Sequence, residues 1–425
     1  MQYKIFWCKT NKYYTEKWLN TKYLDDKQWF FVASCIVTDK AKVKWLKFVI
    51  SWIKKLEWEA KIYISWCWTI KKWALVDDFY ETYPELLQYK DKIVLLWEDP
   101  EKEWLDEKIS KFKAKSLYTR KYIIVQNWCD NHCTFCLTIK ARWSHKSRNT
   151  DDIIREINTF VASWWKEVVI TGTNIWAWWT TNTRNPDETE FSWLLSEILE
   201  KTKIERVRIS SLWIEYINDS LISLLKNPRI YAHLHLSIQS WSDKILKSMN
   251  RNYTRSILID KLKILSEIKR KDWIKLSLWA DFIVWFPWED DSDFEDSLYI
   301  IDEFKIAKVH AFPFSAHEKR DSVPAWLFSN QIKENIKQDR MKKIIEAWEI
   351  TRNNFLIEND WAKMRLLIEK KDWDRFSWWS ENYIFLNEKN FHPIEKNEFK
   401  IWDVISWFYK YSPLIKETLV DNLMQ

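Results

Sequence analysis

Three cysteines in the middle of the chain have a spacing that suits a metal centre. Cys129, Cys133 and Cys136 follow a CxxxCxxC pattern, which packs three thiolates into one loop. A closed iron–sulfur or zinc site normally takes four protein ligands, so three imply a centre with one position open for chemistry. The alternatives are a structural zinc loop with a distant fourth ligand, His132 or His145, and cysteines that are simply buried and reduced.

Three further cysteines follow short apolar segments near the start of the chain. The predicted strands cover residues 3–6, 30–34 and 61–65, and they precede Cys8, Cys35 and Cys67 respectively. Parallel strands of α/β folds end at one edge of the sheet, where such folds place their sites. From the spacing alone, buried structural cysteines explain this set as well as a cluster does. A cluster is favoured because all six cysteines are then used as two sets of three.

Length and composition indicate several domains and no membrane segment. A chain of 425 residues is long enough for about two to four domains. It has no run of ~18 apolar residues and no secretory signal at its start. We therefore expect a cytoplasmic protein without a membrane partner, whose cysteines bind metal or stay reduced rather than form disulfides. The net charge of +6 is compatible with a polyanionic partner but does not require one.

The composition has one abnormal feature, which is 33 Trp beside a single Gly. A chain of this length normally contains about 30 Gly, or ~7%. Trp164, Trp241, Trp285 and Trp288 fall at predicted helix ends and turns, where a positive φ or a close backbone approach favours glycine. One hypothesis is that most tryptophans are UGA codons, which the source organism reads as glycine; the alternative is a chain truly rich in Trp. The best candidates for genuine tryptophans are Trp68, Trp178 and Trp379.

The chain is predicted to be of the α/β class with three folded parts. Residues 1–110 alternate short strands with helical patterns, which predicts a small α/β domain. Residues 115–330 repeat strand–helix units and predict a partial (βα)6 barrel. A charged helix is expected to connect this barrel, over residues 331–360, to short strands in residues 362–425. Those strands predict a small β-barrel.

Apolar periodicity places the elements of the central barrel. Thr150, followed by two aspartates, is predicted to cap the helix that comes after the cysteine loop. Further strands are expected at residues 167–171, 204–210, 232–238, 274–284 and 307–314, and helices at 216–226, 254–269 and 292–305.

Five residues near the carboxyl ends of the predicted strands are candidates for holding a cofactor. Gly172 is the only glycine of the chain and interrupts the strand that ends at residue 171. Asn174, Ser211, Gln239 and Asp281 lie near the ends of the same strand and its successors, where barrel folds place their chemistry. For each of these four, an ordinary loop hydrogen bond is an equally good explanation. No residue is assigned as a catalytic acid or base.

The cysteine loop resembles the cluster loop of radical S-adenosylmethionine (SAM) enzymes, because an aromatic residue, Phe135, precedes its third cysteine. With Trp read as Gly, the chain over all three parts resembles the methylthiotransferases, radical SAM enzymes that insert sulfur and add a methyl group. The resemblance rests on Trp7-Cys8-Lys-Thr-Asn, Ala33-Ser-Cys35-Ile-Val-Thr and Ser65-Trp-Cys67, where the family has Gly-Cys-x-x-Asn, Asn-Thr-Cys-x-Val-Thr and x-Gly-Cys. Ala33-Ser34 departs from the usual Asn-Thr.

The resemblance implies the cofactors and their ligands. Two 4Fe-4S clusters are expected, an auxiliary one on Cys8, Cys35 and Cys67 and one that binds SAM on the CxxxCxxC loop. Phe135 and the five strand-end candidates are expected to contact SAM. The carboxyl-terminal part resembles a TRAM domain, which contacts RNA.

Four segments are most similar to the methylthiotransferases that act on N6-threonylcarbamoyladenosine in tRNA. They begin at Val125, Ile170, His233 and Ser380. The resemblance then implies a 5′-deoxyadenosyl radical that takes hydrogen from carbon 2 of the adenine, followed by transfer of sulfur from the auxiliary cluster, methylated by a second SAM. A one-electron reductant and a sulfur donor are implied as partners.

Other functions remain open at this point. Sister enzymes modify isopentenyladenosine in tRNA or an aspartate of a ribosomal protein. An alternative of another class is a non-catalytic iron–sulfur protein that binds RNA or transfers electrons. It would produce no deoxyadenosine from SAM.

Overall fold

The structure is a computed structural model with two compact units, each described by itself below. The first unit comprises residues 1–118, 128–145 and 315–326, and the second comprises 119–127, 146–314 and 327–425. Within them, the structure describes residues 2–6, 9–19, 29–34, 39–57, 60–65, 76–96, 118–137, 145–180, 190–316, 323–332, 334–372, 375–387 and 403–411.

The first unit contains a four-stranded parallel sheet in the order β1-β2-β3-β4. Parallel strands covered on both faces are buried throughout, and Phe31, Val32 and Ile64 are fully buried here. The predicted α/β class is therefore confirmed for this part of the chain. Its strands are β1 (Gln2–Ile5), β2 (Trp29–Ala33), β3 (Lys61–Ser65) and β4 (Ile93–Leu96). Its helices are α1 (Lys9–Leu19), α2 (Asp39–Ile53), α3 (Val76–Thr82) and α4 (Pro84–Leu87), with a 3₁₀ turn at Lys90–Lys92.

The second unit is built on six parallel strands that alternate with helices. Two sheets, β6-β5-β7-β8 and β11-β10-β9, are joined by parallel bridges from Val207 to Ile230 and from Leu212 to Leu236. The predicted partial (βα)6 barrel is thus confirmed. Its strands are β5 (Lys121–Asn127), β7 (Glu167–Gly172), β8 (Arg206–Ile209), β9 (His233–Gln239), β10 (Ser277–Val284) and β11 (Lys308–Pro313), and the short β6 (Lys146–Ser147) pairs antiparallel with β5.

Helices cover the outside of these strands. The side chains of β9 and β10 that face them, such as Leu236, Ala280 and Phe282, share one apolar core with Leu258 and Leu262. The intervening side chains of both strands point to the inside of the barrel. The helices are α5 (Thr150–Ala162), α6 (Phe191–Lys201), α7 (Asp219–Leu225), α8 (Asp243–Ser248), α9 (Arg255–Ser266) and α10 (Asp291–Glu303), with 3₁₀ turns at Ile175–Ala177, Ile214–Tyr216 and Pro324–Leu327.

The cap of α5 differs from the prediction. Asn149 rather than Thr150 is the N-cap, because its backbone is extended and its side chain accepts a hydrogen bond from the N–H of Asp151 at 2.8 Å. Thr150 already belongs to the helix. Asparagine is as good a capping residue as threonine, so the sequence contained two adjacent candidates for one position.

A long helix and an antiparallel sheet follow the barrel. Met364, Leu366 and Ile368 form a core with Phe355 of the helix, which holds the sheet against it. A separate antiparallel domain was predicted and is confirmed, whereas its closure into a β-barrel stays a prediction, as do the domain boundaries. The elements are α11 (Glu334–Glu358), β12 (Lys363–Asp372), β13 (Arg375–Ser380), β14 (Phe385–Asn387) and β15 (Val404–Phe408), with sheet order β14-β13-β12-β15.

Tryptophan dominates the left-handed backbone positions of the described residues. A positive φ is rare outside glycine and is an outlier for a bulky side chain. Here seven of the twelve non-glycine residues with positive φ are tryptophans, with φ between 57° and 71°. They are Trp128, Trp164, Trp179, Trp273, Trp285, Trp288 and Trp361. Among the described residues, no helix has the length and apolarity needed to cross a membrane.

Candidate functional site

The CxxxCxxC loop begins directly after the first barrel strand, β5. None of its three cysteines forms a disulfide, and Cys133 is buried whereas Cys129 and Cys136 are half-buried. A turn brings the second and third cysteines together, since the N–H of Cys136 donates to the carbonyl oxygen of Cys133 at 3.1 Å. Phe135 lies within this turn and is half-buried. The loop therefore carries three thiols within residues 129–136, just after the end of a strand.

Burial makes the thiol of Cys129 a poor acid when no cation is bound. Burial raises the pKa of Cys129 to about 12, and the neighbouring thiols of Cys136 and Cys133 raise it further, against a hydrogen bond from the Asn131 backbone that lowers it. A thiolate is stabilised in such a place by a bound metal, which deprotonates a coordinating thiol. The donor set of three sulfurs fits an iron–sulfur cluster with one open iron.

The spacing of the three thiols does not match a single zinc ion. Two thiolates on one zinc lie no more than about 4.6 Å apart, because each Zn–S bond is about 2.3 Å long. In the described part of the chain, only His235, Asp281 and His310 bring three ligand atoms within 4.8 Å of one another. At least two of the three sulfurs are therefore more than 4.8 Å apart. Nδ1 of His145 faces a carboxylate oxygen of Asp130 at 3.4 Å, which is a common support of a ligating histidine, so His145 stays an alternative fourth ligand of a zinc ion.

The amino-terminal cysteines, Cys8, Cys35 and Cys67, lie outside the described residues, and their role as ligands stays a prediction. The described ends of the three preceding strands are side by side. The N–H of Phe6 donates to the carbonyl oxygen of Ala33 at 3.1 Å.

Beyond that pair, the N–H of Ser34 donates to the carbonyl oxygen of Ser65 at 3.0 Å. The side-chain amide of Asn11 donates to the carbonyl oxygen of Ser34 at 2.7 Å and fixes the start of α1 against this edge. The three strands therefore end at one edge of the sheet, as predicted.

Gly172 and Asn174 meet at the end of β7 through Gln126. The N–H of Asn174 donates to Oε1 of Gln126 at 2.9 Å. A Cβ on Gly172 would lie 2.5 Å from the carbonyl oxygen of Gln126, so only glycine fits this approach. The side-chain amide nitrogen of Asn174 is buried and has no hydrogen-bond partner. A buried donor without a partner is costly unless a ligand supplies an acceptor, which suits a cofactor contact.

Ser211 and Asp281 are joined through His235 on the inside of the barrel, and His310 also contacts Asp281. Nε2 of His235 lies 2.7 Å from Oδ1 of Asp281, and Nδ1 of His310 lies 3.3 Å from the same oxygen. Nδ1 of His235 in turn lies 3.2 Å from Oγ of Ser211. Ser237 places its hydroxyl 3.5 Å from the other carboxylate oxygen. These side chains form one connected polar group. We call three of its members, His235, Asp281 and His310, the barrel triad.

The electrostatics of the barrel triad favour an ionised carboxylate. Burial alone would raise the pKa of Asp281, but His235 and His310 outweigh it and hold this pKa well below its usual range. Burial lowers the pKa of His310 to about 4, against the raising effect of Asp281. The imidazole of His310 is therefore neutral at pH 7, and it retains a nitrogen lone pair.

The remaining candidate, Gln239, ends β9 with a φ of 68°, next to an irregularity in the pairing with β10. The structure thus sorts the candidates of the barrel into two groups, one around Gln126 and one around the barrel triad. Their roles as cofactor ligands stay predictions.

Sequence reasoning missed His235, His310 and Gln126. His235, Ser237 and Gln239 occupy alternate positions of β9, and this period of two marks a polar inner face that the sequence already contained. Glu215, another missed residue, is buried without a hydrogen-bond partner for its carboxylate oxygens. Burial raises the pKa of Glu215 to about 7, although Arg251 lowers it.

A buried ionic group supports the amino ends of the barrel strands. Glu167 is fully buried, and its carboxylate accepts hydrogen bonds from Arg206 at 3.1 Å and from Arg208 and Tyr231. Burial alone would raise the pKa of Glu167, but the arginines and Tyr231 lower it to about 2. Arg206 also donates to the carbonyl oxygen of Arg365 at 2.9 Å, which ties the barrel to the antiparallel sheet.

Comparison with known proteins shows which family the barrel is similar to. Residues 123–298 match the family model of the Radical SAM superfamily. The chain is 34% identical over 229 residues to the threonylcarbamoyladenosine tRNA methylthiotransferase MtaB of Bacillus subtilis, covering 53% of this chain and 48% of that protein. It is 32% identical over 291 residues to the tRNA-2-methylthio-N(6)-dimethylallyladenosine synthase of Clostridium tetani, covering 65% and 60%. MtaB of Thermotoga maritima is 28% identical over 365 residues, covering 81% and 80%.

The chain spans 48% and 60% of the lengths of the Bacillus and Clostridium relatives. Among solved structures, the radical SAM methyltransferase TsrM from Kitasatospora setae is 12% identical with a TM-score of 0.46, covering 70% of this chain and 66% of that chain. Residues 123–298 therefore match a radical SAM domain, and the chain is similar to tRNA methylthiotransferases.

Proposed function

We propose that this protein is a radical SAM methylthiotransferase that modifies carbon 2 of N6-threonylcarbamoyladenosine in tRNA. The observation that carries the proposal is the set of three cysteines, none of them in a disulfide, on the loop that directly follows the first barrel strand. Three thiols can hold an iron–sulfur cluster and leave one iron open for SAM. The proposal includes a second cluster on Cys8, Cys35 and Cys67, a one-electron reductant, a sulfur donor and a cytoplasmic location.

The chain's own residues would hold and position these groups. When bound, the cluster and SAM supply the one-electron cleavage of the sulfonium bond. The side-chain amide of Asn174 offers a buried donor to an oxygen of the cofactor, and Gly172 lets the backbone of Gln126 approach without a clash. The inside of the barrel is lined by the barrel triad and Ser211, which present polar atoms in a largely water-excluded space. Such a space protects a radical from solvent.

The names of the relatives support a tRNA substrate and favour the threonylcarbamoyl group. Of the relatives compared, the one aligned over most of this chain, 81%, is named as a threonylcarbamoyladenosine tRNA methylthiotransferase. The Clostridium relative, named for dimethylallyladenosine, supports the alternative that this protein modifies isopentenyladenosine. Both alternatives share the reaction and differ in the group on the adenine nitrogen. A ribosomal-protein substrate and a non-catalytic role remain further alternatives.

The test is to supply reconstituted protein with SAM, a reductant and two tRNA pools that lack the methylthio group. One pool carries threonylcarbamoyladenosine and the other carries isopentenyladenosine. Digested nucleosides and 5′-deoxyadenosine are then measured by mass spectrometry, with Cys133→Ala as the inactive control. We expect the methylthio group on threonylcarbamoyladenosine only.

Each other outcome excludes part of the proposal. Modification of isopentenyladenosine alone would reassign the substrate. Deoxyadenosine without any tRNA product would leave a radical SAM enzyme that acts on another molecule. If no deoxyadenosine forms in the presence of a reduced cluster and tRNA, the protein is not an enzyme of this class.

A further inference from the structure

We propose that the barrel triad of His235, Asp281 and His310 binds a divalent transition-metal ion, separate from the cysteine clusters. Two imidazoles and one carboxylate are a common ligand set for iron(II) and zinc. The chain contains only seven histidines, and two of them meet here on one carboxylate oxygen. The inference concerns the chain's own ligand atoms and does not rest on the proposed function.

The separations of the ligand atoms fit a single ion. Bonds of about 2.0–2.2 Å to nitrogen and oxygen place two ligands of one ion roughly 2.9–3.5 Å apart for angles between octahedral and tetrahedral. The distances from Oδ1 of Asp281 are 3.3 Å to His310 and 2.7 Å to His235, and all three ligand atoms lie within 4.8 Å of one another. Small rotations of the two rings would complete the geometry.

The ligands are held on rigid elements. His235, Asp281 and His310 lie on the adjacent strands β9, β10 and β11, and Asp281 is the register partner of His310. The neighbouring side chains Ala280 and Phe282 are buried in the core under the helices, which fixes the position of the carboxylate.

Ser211 supplies the kind of support that metal-binding histidines usually have. Its hydroxyl lies 3.2 Å from Nδ1 of His235, the ring nitrogen that does not face Asp281. A hydrogen bond at the second nitrogen fixes the ring orientation and the tautomer of a ligating histidine. Nε2 of His235 is thereby presented to the same point as the Asp281 carboxylate.

The site also leaves room for a further ligand. The side chains of His235, Asp281 and His310 are 12%, 16% and 28% exposed, so each keeps part of its surface accessible. An ion with three protein ligands has at least one position for water or for an oxygen or nitrogen atom of another molecule. The ion would act there as a Lewis acid and as an anchor for such an atom.

The same separations permit a simpler arrangement in which the imidazoles donate hydrogen bonds to Asp281 and no ion binds. The two arrangements differ in what the purified protein retains. The experiment adds one equivalent of Zn²⁺ as the probe to reconstituted holoenzyme and removes weakly bound metal by gel filtration. The zinc, iron and sulfide contents per chain are then measured, and the ligand atoms of the zinc are determined by X-ray absorption spectroscopy at the zinc edge.

We expect about one zinc per chain, bound by two imidazoles and oxygen without sulfur. Asp281→Asn and His310→Gln should lose this zinc while iron and sulfide stay unchanged, and Ser211→Ala should weaken its binding by about tenfold. His233→Gln is the matched control, because His233 lies on the same strand but packs against Tyr383. It should retain the zinc.

Three results would overturn the proposal. Wild-type holoenzyme could retain no zinc, which would leave a hydrogen-bonded group only. The zinc could show sulfur ligands, which would place it on the cysteines. The triad variants could also retain as much zinc as the wild type. The absorption measurement on the wild type keeps the proposal testable even if a variant fails to fold.

Discussion

The backbone N–H of Trp164 donates to the carbonyl oxygen of Val161 at 3.0 Å, just beyond the end of α5. The next N–H, of Trp165, donates to the carbonyl oxygen of Phe160 at 3.0 Å. These two bonds form a Schellman motif, in which the first residue after the helix cap adopts a left-handed conformation and is usually glycine. Here that residue is Trp164, with φ 71° and a side chain that is 81% exposed. Packing does not explain its presence.

We propose that Trp164 and the other left-handed tryptophans are glycine in the natural protein, through UGA codons read as glycine. The prediction is that peptide masses of the protein isolated from its source show glycine at Trp128, Trp164, Trp285 and Trp288, and that the gene has UGA there. Trp178 should be genuine, because its Nε1 donates to the carbonyl oxygen of Arg148 at 3.0 Å and its φ is −62°. UGG codons and tryptophan masses at the four positions would refute the proposal.

The same reasoning gives a stability prediction for the chain as written. Trp164→Gly should stabilise the protein by about 1–2 kcal/mol, the cost of a left-handed conformation for a residue with a side chain. Trp178→Gly is the matched control and should destabilise it by about 3–5 kcal/mol, because this indole is buried and hydrogen-bonded. Urea unfolding followed by circular dichroism measures both. Equal losses for the two variants would show that Trp164 is unstrained.

Much of the fold could be predicted because the barrel repeats one local pattern. Apolar periodicity placed β9 at residues 232–238, and the strand is His233–Gln239. The ends of elements were less accurate. The helix predicted at 254–269 ends at Ser266. The carbonyl oxygens of its last turn accept hydrogen bonds from the N–H groups of Glu267 and Ile268, which close a tighter turn and end the helix.

The site was less predictable than the fold because its contacts cross between distant strands. Gly172 and Asn174 were found from their position at a strand end. His235 and His310 are 75 residues apart in the sequence, and only the register of β9, β10 and β11 brings them to Asp281. A strand register depends on the packing of the whole barrel, so a single sequence does not reveal which polar residues face each other.

A pH-dependent stability is expected from Glu215. Its pKa is raised from 4.5 to about 7 by burial, so the contribution of the protonated carboxyl is complete below about pH 4.5 and is lost as the pH rises through 7. Glu215→Gln removes this loss. The variant should equal the wild type near pH 4 and exceed its unfolding free energy by up to about 3 kcal/mol at pH 8.

Urea unfolding at both pH values tests this expectation for Glu215→Gln. Glu205→Gln is the control, because Glu205 is 42% exposed and pairs with Lys166 on the surface. It should change stability by less than about 1 kcal/mol at either pH. A Glu215 variant that is less stable than the wild type at pH 8 would show that the ionised carboxylate has a strong partner.

The opposite pH dependence is expected from Glu167. Its pKa is lowered to about 2, so its contribution is complete above about pH 4.5 and is lost only as the pH falls through 2. Glu167→Gln should destabilise the protein by about 3–5 kcal/mol at pH 7, because it leaves the buried guanidinium groups of Arg206 and Arg208 without their carboxylate. Glu205→Gln, which breaks the surface pair of Glu205 with Lys166, should cost less than about 1 kcal/mol. Equal effects of the two variants would contradict the assignment of Glu167 as the centre of the group.

Gly172 gives the sharpest test of the end of β7. In Gly172→Ala the new methyl group would meet the carbonyl oxygen of Gln126 at 2.5 Å and a methyl of Ile175 at 2.9 Å, so the strand end must shift. Overpacking of this kind costs about 1–3 kcal/mol. The shift would also displace Asn174, whose N–H donates to the Gln126 side chain. We therefore expect a lower melting temperature together with weaker SAM binding in equilibrium dialysis.

Two outcomes would separate the structural from the functional part of that expectation. An unchanged melting temperature, compared with the surface control Ser163→Ala, would show that the backbone does not approach Gly172 as closely as described. A lower melting temperature with unchanged SAM affinity would confirm the close approach, but it would remove Gly172 and Asn174 from the cofactor site. SAM would then have to be held by other residues, with Gln239 and the barrel triad as the next to be substituted.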